Sequence, residues 1–331
     1  GSSDAPSAAS GLSGELRGAG ATSQSDAQDA WMNTFMGANL RATVDYAGGG
    51  SGAGRTKLVE GAVDFAGTDT PMTADEISRI GGAVELPLYI SPIAVAYNLP
   101  GFTGESHVNM TGEVLAKVLS GAITRWNDPA LAALNPGAAL PDLRIIVVGR
   151  SDDSGTTKAL TTYLATVAPK AWPHEPEETW PLRGGQSGDG TAGMIQTVSA
   201  ATGTIGYADA SKVPATLGTV AVGSNGAYVP VSAKAAAAAL DAATLGSEAD
   251  ETRLLYQPSH DAEGAYPIVL VSYLAARLRY DDARIAAVVK AYLRFAASTR
   301  GQDASTKATG CAPITRQMRE KINAAIDKIA A

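Results

Sequence analysis

Three segments of this chain join an apolar, strand-like run to a helical pattern through glycine and hydroxyl residues. They are "GAGATSQS" at 18–25, "GGGSGAGR" at 48–55 and "SDDSGTT" at 151–157. A strand followed at once by a helix, repeated along a chain, is typical of α/β folds with mostly parallel sheets. We therefore predict an α/β fold whose three junctions lie at the carboxyl ends of strands, where open α/β sheets bind their ligands.

Local patterns predict the individual elements. Apolar, β-branched runs predict strands at 16–20, 42–46, 63–69, 84–101 and 143–150, and a strand with a turn at 203–211. Helical patterns cover 25–36, 51–60, 190–200, 234–243, 282–298 and 314–330, and 110–134 indicates helices with an intervening turn. Thr73 and Glu76 have the spacing of a capping box, which predicts a helix start. The run 84–101 is long enough to pass between domains, and the apolar run 266–278 is a candidate for the return.

Composition argues against several classes of function. The net charge is −7 and no basic patch is present, so nucleic-acid binding is not expected. Three histidines and one cysteine cannot form a Cys/His zinc site at any usual spacing, and Cys311 has no partner for an internal disulfide. No apolar run is long enough to cross a membrane. The glycine runs match neither nucleotide-binding motif, and no G-x-S-x-G elbow occurs.

The three junctions share a chemistry that suits a small anion. A helix N-terminus leaves backbone N–H groups unpaired and carries about half a positive charge. Glycine lets the backbone approach a ligand closely, and hydroxyls add neutral donors. For any one junction alone, an ordinary N-cap is the better explanation. Together they favour an oxyanion site, although the pattern itself does not name the ligand.

Five segments, taken in order, resemble the phosphate-binding proteins of high-affinity phosphate ABC importers. They are "GAGAT" at 18–22, "GGGSGAGR" at 48–55, "VDFAGTDTPMT" at 63–73, "VVGRSDDSGTT" at 147–157 and "GTIGYADAS" at 203–211. The resemblance spans residues 16–320. It implies the two-domain periplasmic-binding-protein fold of type II, which binds its ligand in the interdomain cleft and has two hinge crossings.

On this resemblance the chain divides into a tether and two domains. We expect a flexible N-terminal tether at 1–15, domain I at 16–89 and 266–331, and domain II at 90–265. The two crossings, near 89–92 and 264–267, are expected to act as hinges.

The resemblance also implies the ligand contacts. The expected phosphate-binding residues are Thr22, Ser23, Ser51, Asp69, Arg150, Ser154, Gly155 and Thr156, with Asp152 orienting Arg150. The chain departs from the family pattern after Thr22, where "SQSD" stands in place of an aromatic residue and prolines. The backbone N–H of Ser23 can still serve as a donor. No catalytic residue, metal or cofactor is expected.

The expected function is high-affinity binding of inorganic phosphate and its delivery to the subunits of a membrane ABC permease. The protein is expected to be a monomer that is periplasmic or extracellular, tethered by a lipid on a residue upstream of Gly1. Three alternatives stay open at this point. They are a binding protein for another tetrahedral oxyanion, a phosphate-ester hydrolase on a similar fold, and a surface adhesion or signalling module.

Overall fold

The computed structural model describes residues 11–224, 226–246 and 248–331. Most of the predicted tether lies outside these ranges, and its last two residues already belong to the first strand. The strands are β1 (Gly14–Gly20), β2 (Ala42–Ala47), β3 (Phe65–Thr68), β4 (Ala83–Tyr97), β5 (Asn109–Thr111), β6 (Ile146–Arg150), β7 (Gln186–Gly188), β8 (Thr204–Asp209), β9 (Gly218–Thr219), β10 (Ala221–Ser224), β11 (Ala227–Val229), β12 (Thr244–Leu245), β13 (Tyr256–Gln257) and β14 (Val269–Arg277). The helices are α1 (Ser25–Ala38), α2 (Ser51–Glu60), α3 (Ala74–Arg79), α4 (Gly112–Ser120), α5 (Pro129–Leu134), α6 (Gly155–Val167), α7 (Gly190–Ala200), α8 (Ala233–Asp241), α9 (Ala283–Ala297), α10 (Thr299–Thr309) and α11 (Arg316–Asp327).

Residue contacts divide the chain into two compact units. Unit 1 comprises the described residues up to Ile90, the described residues of 243–257, and Val271–Ala331. Unit 2 comprises Ser91–Ala242 and Pro258–Leu270, without the undescribed residue within the first of these ranges. The chain therefore passes between the units inside the long strands β4 and β14, and again at both ends of the 243–257 segment.

Unit 1 contains a sheet of order β2-β1-β3-β14. Strand β1 runs parallel to β2 and β3, and β14 runs antiparallel to β3. Because Ala19 pairs with Ala47 and Gly20 with Gly67, the carboxyl ends of three parallel strands meet at one edge. Fully buried aromatic side chains of α1, β3 and α9 form part of the core of this unit: Trp31, Phe35, Phe65, Tyr292 and Phe295.

Unit 2 contains a sheet of order β4-β8-β6-β7, with β9 beside β4 and a smaller sheet β11-β10-β5. Strand β6 runs parallel to β7 and β8, whereas β4 runs antiparallel to β8. The α/β prediction is therefore correct, but the sheets are mixed rather than mostly parallel. The antiparallel pairs of the two main sheets come from the two strands that carry the chain between the units: β14 pairs with β3 in unit 1, and β4 pairs with β8 in unit 2.

The 243–257 segment departs from the predicted domain boundaries, which assign all of 90–265 to domain II. It belongs to unit 1 because it pairs with β4: Glu85 N donates to Thr252 O at 2.9 Å, and Leu254 N donates to Glu85 O at 3.0 Å. An ion pair adds to these bonds, with Arg253 Nε 2.6 Å from Glu85 Oε2.

The Glu85–Arg253 pair is buried. The side chain of Glu85 is 0% exposed and that of Arg253 is 13% exposed. Met72 N donates to Glu85 Oε1 at 2.6 Å, and Arg253 Nη2 donates to Met72 O at 3.0 Å. Burial raises the pKa of Glu85, and the bonds from Met72 and Arg253 offset this only in part. The pair therefore joins β4, the loop before α3 and the 243–257 segment within unit 1.

Replacing Arg253 by alanine is expected to lower the free energy of unfolding by about 3–5 kcal/mol, as when one partner of a buried ion pair is removed. The change also raises the pKa of Glu85 further, since Arg253 lowers it. When the pKa of a carboxyl group is higher in the folded state than in the unfolded state, the group stabilises the folded state at acid pH. This stabilisation is lost as the pH rises through the folded-state pKa. The loss in Arg253→Ala should thus be larger at about pH 8 than at about pH 5 in urea denaturation.

The matched control is Arg79→Ala, which breaks the exposed i,i+4 pair with Asp75 in α3, where the side chains are 66% and 74% exposed. Such pairs contribute at most about 1 kcal/mol. An equally small loss in both variants would show that the Glu85–Arg253 pair contributes little to the stability of unit 1.

Candidate functional site

In unit 1, three of the predicted site residues lie together at the carboxyl ends of β1 and β3. Ser23 Oγ donates to Asp69 Oδ1 at 2.7 Å, and Asp69 N donates to Ser51 Oγ at 2.9 Å. Thr22 opens a short 3₁₀ turn after β1 and is exposed. It lies against the second junction, since a Cβ built on Gly48 would be 3.1 Å from its Cγ2 atom. We call Thr22, Ser23, Ser51 and Asp69 the unit 1 cluster.

Glycines allow the two junctions of unit 1 to approach each other. Gly50 precedes α2 with φ 100°, in the region that favours glycine, and its N–H donates to Gly20 O at 3.0 Å. Gly20 has φ 144°, and a Cβ there would lie 2.0 Å from Gly67 O. No other residue type fits at position 20 without moving β3, so "GAGAT" and "GGGSGAG" are partly explained by packing between backbones.

Ser272 contacts this cluster, and Gln24 and Arg55 bond to residues beside it; the sequence analysis identified none of the three. Ser272 Oγ donates to Asp69 Oδ1 at 2.6 Å, and Gln24 Nε2 donates to Ser272 Oγ at 2.6 Å. Arg55 Nη1 donates to Thr68 Oγ1 at 3.1 Å, which holds the residue before Asp69. A signal for Ser272 was available, because it is the one polar side chain inside the apolar run "IVLVSYLAA".

In unit 2, Arg150 and Asp152 form a two-pronged ion pair at the end of β6. Arg150 Nε and Nη2 donate to Asp152 Oδ1 and Oδ2, each at 2.7 Å. The side chain of Arg150 is only 9% exposed. Asp152 Oδ1 also accepts from Gly190 N at 3.0 Å, at the first residue of α7. The bond from the Arg150 guanidinium is the main reason that the pKa of Asp152 is lowered to about 2. Burial raises this pKa by a smaller amount, and the N–H of Gly190 lowers it further. The carboxylate is therefore ionised at neutral pH and fixes the plane of the guanidinium.

The third junction forms the N-terminus of α6. Ser154 is the N-cap, and its Oγ accepts from Thr156 N at 3.1 Å and lies 2.6 Å from Thr156 Oγ1. Gly155 is the first residue of the helix. Both Ser154 and Thr156 are 8% exposed. We call Arg150, Ser154, Gly155 and Thr156 the unit 2 cluster.

Tyr207 and Thr157 support the unit 2 cluster, and the sequence analysis did not identify them either. Arg150 N donates to Tyr207 OH at 3.0 Å, and Tyr207 OH lies 2.7 Å from Thr157 Oγ1. Burial raises the pKa of Tyr207, so its hydroxyl stays protonated. Since that oxygen accepts from Arg150 N, its own proton can be donated to Thr157. Tyr207 lies in "GTIGYADAS", a segment that the resemblance singled out without giving this residue a role.

Both clusters are rich in hydroxyls and backbone donors and stand at helix N-termini, an arrangement suited to a small oxyanion. In the part of the chain that the structure describes, no group of three or more His, Cys, Asp or Glu residues is placed to hold a metal ion. Within the same residues, no helix is both long and apolar enough to cross a bilayer.

Known proteins with similar sequences are phosphate-binding proteins. Phosphate-binding protein PstS3 of Mycobacterium bovis is 32% identical over 328 residues, covering 95% of this chain and 86% of its own length. Phosphate-binding protein PstS 2 of Mycobacterium tuberculosis is 32% identical over 340 residues, covering 95% and 87%.

Solved structures with low sequence identity share the fold. A high-affinity periplasmic phosphate-binding protein, PfluDING, bound with phosphate, has a TM-score of 0.70 at 21% identity over 94% of this chain and 93% of its own. The phosphate-binding protein from Stenotrophomonas maltophilia has a TM-score of 0.69 at 20% identity over 94% of each chain. These likenesses confirm the predicted two-domain periplasmic-binding-protein fold.

The PBP superfamily domain matches residues 5–300, which is most of the chain. Together with the mycobacterial relatives, this match places the protein in the PBP superfamily and, within it, in the PstS family of phosphate-binding proteins.

Proposed function

We propose that this protein binds inorganic phosphate and delivers it to a membrane ABC permease. It acts as a binding protein rather than an enzyme, and it works as a monomer in the periplasm or outside the cell. A lipid on a residue upstream of Gly1 would keep it at the membrane. The names of its relatives and the chemistry of the two clusters support this function.

The observation that carries the proposal is the place of Asp69 among hydroxyl donors. Asp69 Oδ1 accepts from Ser23 at 2.7 Å and from Ser272 at 2.6 Å, so a carboxylate stands in a cluster otherwise suited to anions. Phosphate at neutral pH carries a proton, and its P–O–H can donate to a carboxylate in a short charge-assisted bond. Sulfate has no proton to donate. Its oxygens and the Asp69 carboxylate are both negatively charged acceptors, so they would repel each other without forming a hydrogen bond.

In the ligand-bound state that we propose, the residues of the two clusters bind phosphate. The backbone N–H of Ser23 would donate to its oxygens, together with hydroxyls and backbone N–H groups at Thr22, Ser51, Ser154, Gly155 and Thr156. Arg150 would supply paired donors, held in position by Asp152. Excluding water from the bound phosphate would strengthen these bonds. The net charge of −7 is compatible with this function because preorganised local donors act at short range.

Titration calorimetry of the whole chain with phosphate, arsenate and sulfate at neutral pH tests the function. We expect phosphate and arsenate, which share a P–O–H or As–O–H donor, to bind far more tightly than sulfate. Sites that require a ligand hydrogen reject analogues without it by about 10⁴-fold or more. Equal binding of sulfate would indicate a general oxyanion receptor, and turnover of a chromogenic phosphate ester would indicate a hydrolase.

A further inference from the structure

A chain of buried hydrogen bonds runs from α9 to Asp69 inside unit 1. Tyr292 OH lies 2.6 Å from Gln28 Oε1, Gln28 Nε2 lies 3.0 Å from Gln24 Oε1, and Gln24 Nε2 lies 2.6 Å from Ser272 Oγ. Ser272 Oγ in turn lies 2.6 Å from Asp69 Oδ1. The side chains of Tyr292, Gln28, Gln24 and Ser272 are all 0% exposed. We call these four residues the buried relay.

The direction of the relay is set by one backbone carbonyl. Gln24 Nε2 lies 3.0 Å from Tyr273 O, which can only accept, so the amide nitrogen of Gln24 must face this side. Its oxygen then faces Gln28, which must present its own nitrogen. Gln28 Oε1 is thereby turned to Tyr292, whose hydroxyl donates. In each bond along the relay, the donor is therefore the residue farther from Asp69.

This direction determines what Ser272 can do. Gln24 donates to Ser272 Oγ, so the single hydrogen of that hydroxyl must go to another acceptor. Asp69 Oδ1 lies at 2.6 Å and Thr68 O at 3.4 Å, and the shorter bond to the charged oxygen is the stronger one. Ser272 is therefore a donor to Asp69. With Ser23 also donating, one oxygen of Asp69 receives two hydroxyl hydrogens, which favours the ionised form of a carboxyl group.

Tyr292, at the end of the relay farthest from Asp69, is a permanent hydrogen-bond donor. Burial raises the pKa of Tyr292 well above its usual value, so its hydroxyl keeps its proton at any pH at which the protein works. Reversing one member would set two acceptors or two donors against each other in a site closed to water. Each such mismatch leaves a buried polar group unpaired, so the relay can only be satisfied in one direction.

We propose that the buried relay is a specificity device, in which Ser272, Gln24, Gln28 and Tyr292 act as positioning residues that keep Asp69 a hydrogen-bond acceptor. This inference rests on the proposed function and deepens it. A carboxyl group that could take up a proton would be able to donate to sulfate and would lose discrimination. A carboxylate held as an acceptor selects tetrahedral oxyanions that carry a proton, namely phosphate and arsenate.

The test compares the ratio of sulfate to phosphate dissociation constants, measured by titration calorimetry at pH 7, in the wild type and in relay variants. Ser272→Ala removes the donor to Asp69, and Gln24→Met removes the group that directs it. We expect the ratio to fall at least tenfold in both. Tyr292→Phe removes only the distal hydroxyl, so we expect a fall of about threefold in the same direction. Damage to packing alone would weaken the binding of both ions and leave their ratio unchanged.

Tyr280→Phe is the matched control, because it also deletes a buried tyrosine hydroxyl of unit 1. Tyr280 OH donates to Asp64 O at 2.5 Å and accepts from Arg277 N at 3.1 Å, outside the relay. We expect it to keep the wild-type ratio. An unchanged ratio in every relay variant that folds would overturn the inference, and Tyr292→Phe serves as the conservative variant if the others do not fold. Weak phosphate binding by the wild type would instead refute the proposed function itself.

Discussion

Replacing Arg150 by alanine is expected to weaken phosphate binding by about 2–5 kcal/mol, the range for truncating one member of a buried hydrogen-bonded charge pair. The guanidinium is 9% exposed and both of its bonds to Asp152 are 2.7 Å long. Its loss has a second effect. Asp152, whose pKa the arginine holds at about 2, would lose its main partner and remain as a negative charge beside the anion site.

Arg150→Lys should recover only part of the affinity. An ammonium is a point charge that cannot match the planar fork that Asp152 holds in place. Titration calorimetry with phosphate measures both variants. Arg144→Ala is the control, since Arg144 lies in the same unit just before β6 and is exposed. Near-normal affinity in Arg150→Ala would place this arginine outside the phosphate site and would show that the motif assignment is wrong there.

Replacing Asp69 by asparagine is expected to narrow the preference for phosphate over sulfate at least tenfold at pH 7. The wild-type preference should be about 10⁴-fold or more, as in sites that demand a ligand hydrogen. The amide of asparagine can donate as well as accept, so it can bond to a sulfate oxygen and no longer repels that ion. Phosphate should at the same time lose its charge-assisted bond.

Asp64→Asn is the matched control, because Asp64 is the residue just before β3 as Asp69 is the residue just after it, and its carboxylate also accepts a hydrogen bond within unit 1. Its Oδ2 atom accepts from Arg17 N at 2.9 Å, a bond that the asparagine oxygen can also make. Calorimetric titration of both variants with phosphate and sulfate decides the matter. If Asp69→Asn retains the full preference, Asp69 does not accept the ligand proton and acts only as a turn residue.

Local elements were predictable because their signals are local. The helix start at Thr73 is confirmed as a complete capping box, in which its side chain accepts from Glu76 N and its backbone N–H donates to Glu76. Helix α2 has the predicted bounds, and Ser154 caps α6. Each of these features depends on bonds between residues within four positions of one another, so the local sequence carries its signal.

Helix α10 shows where local patterns are insufficient. Its sequence, "TRGQDASTKAT", has no apolar stripe and predicts no helix. The helix is nevertheless held by buried polar contacts: Gln302 Nε2 donates to Leu88 O at 3.1 Å, and Trp31 Nε1 donates to Gly301 O at 3.0 Å. These partners come from β4 and α1, so only the folded unit provides them.

By itself, the sequence determined the α/β class, the three Gly-flanked junctions and, through its resemblance to a family, the residues Asp69 and Arg150 as a candidate acceptor and donor. Only the tertiary structure decided which residues from distant parts of the sequence form hydrogen bonds to Asp69 and to Asp152, the partner of Arg150. Ser272 meets Asp69 across 203 positions because β14 lies antiparallel beside β3, and Gly190 N meets Asp152 across 38 positions because β7 lies parallel beside β6. The physical reason is that a hydrogen bond between residues far apart in the chain depends on strand order and register, which arise from packing of the whole unit and leave no trace in the local spacing of residues.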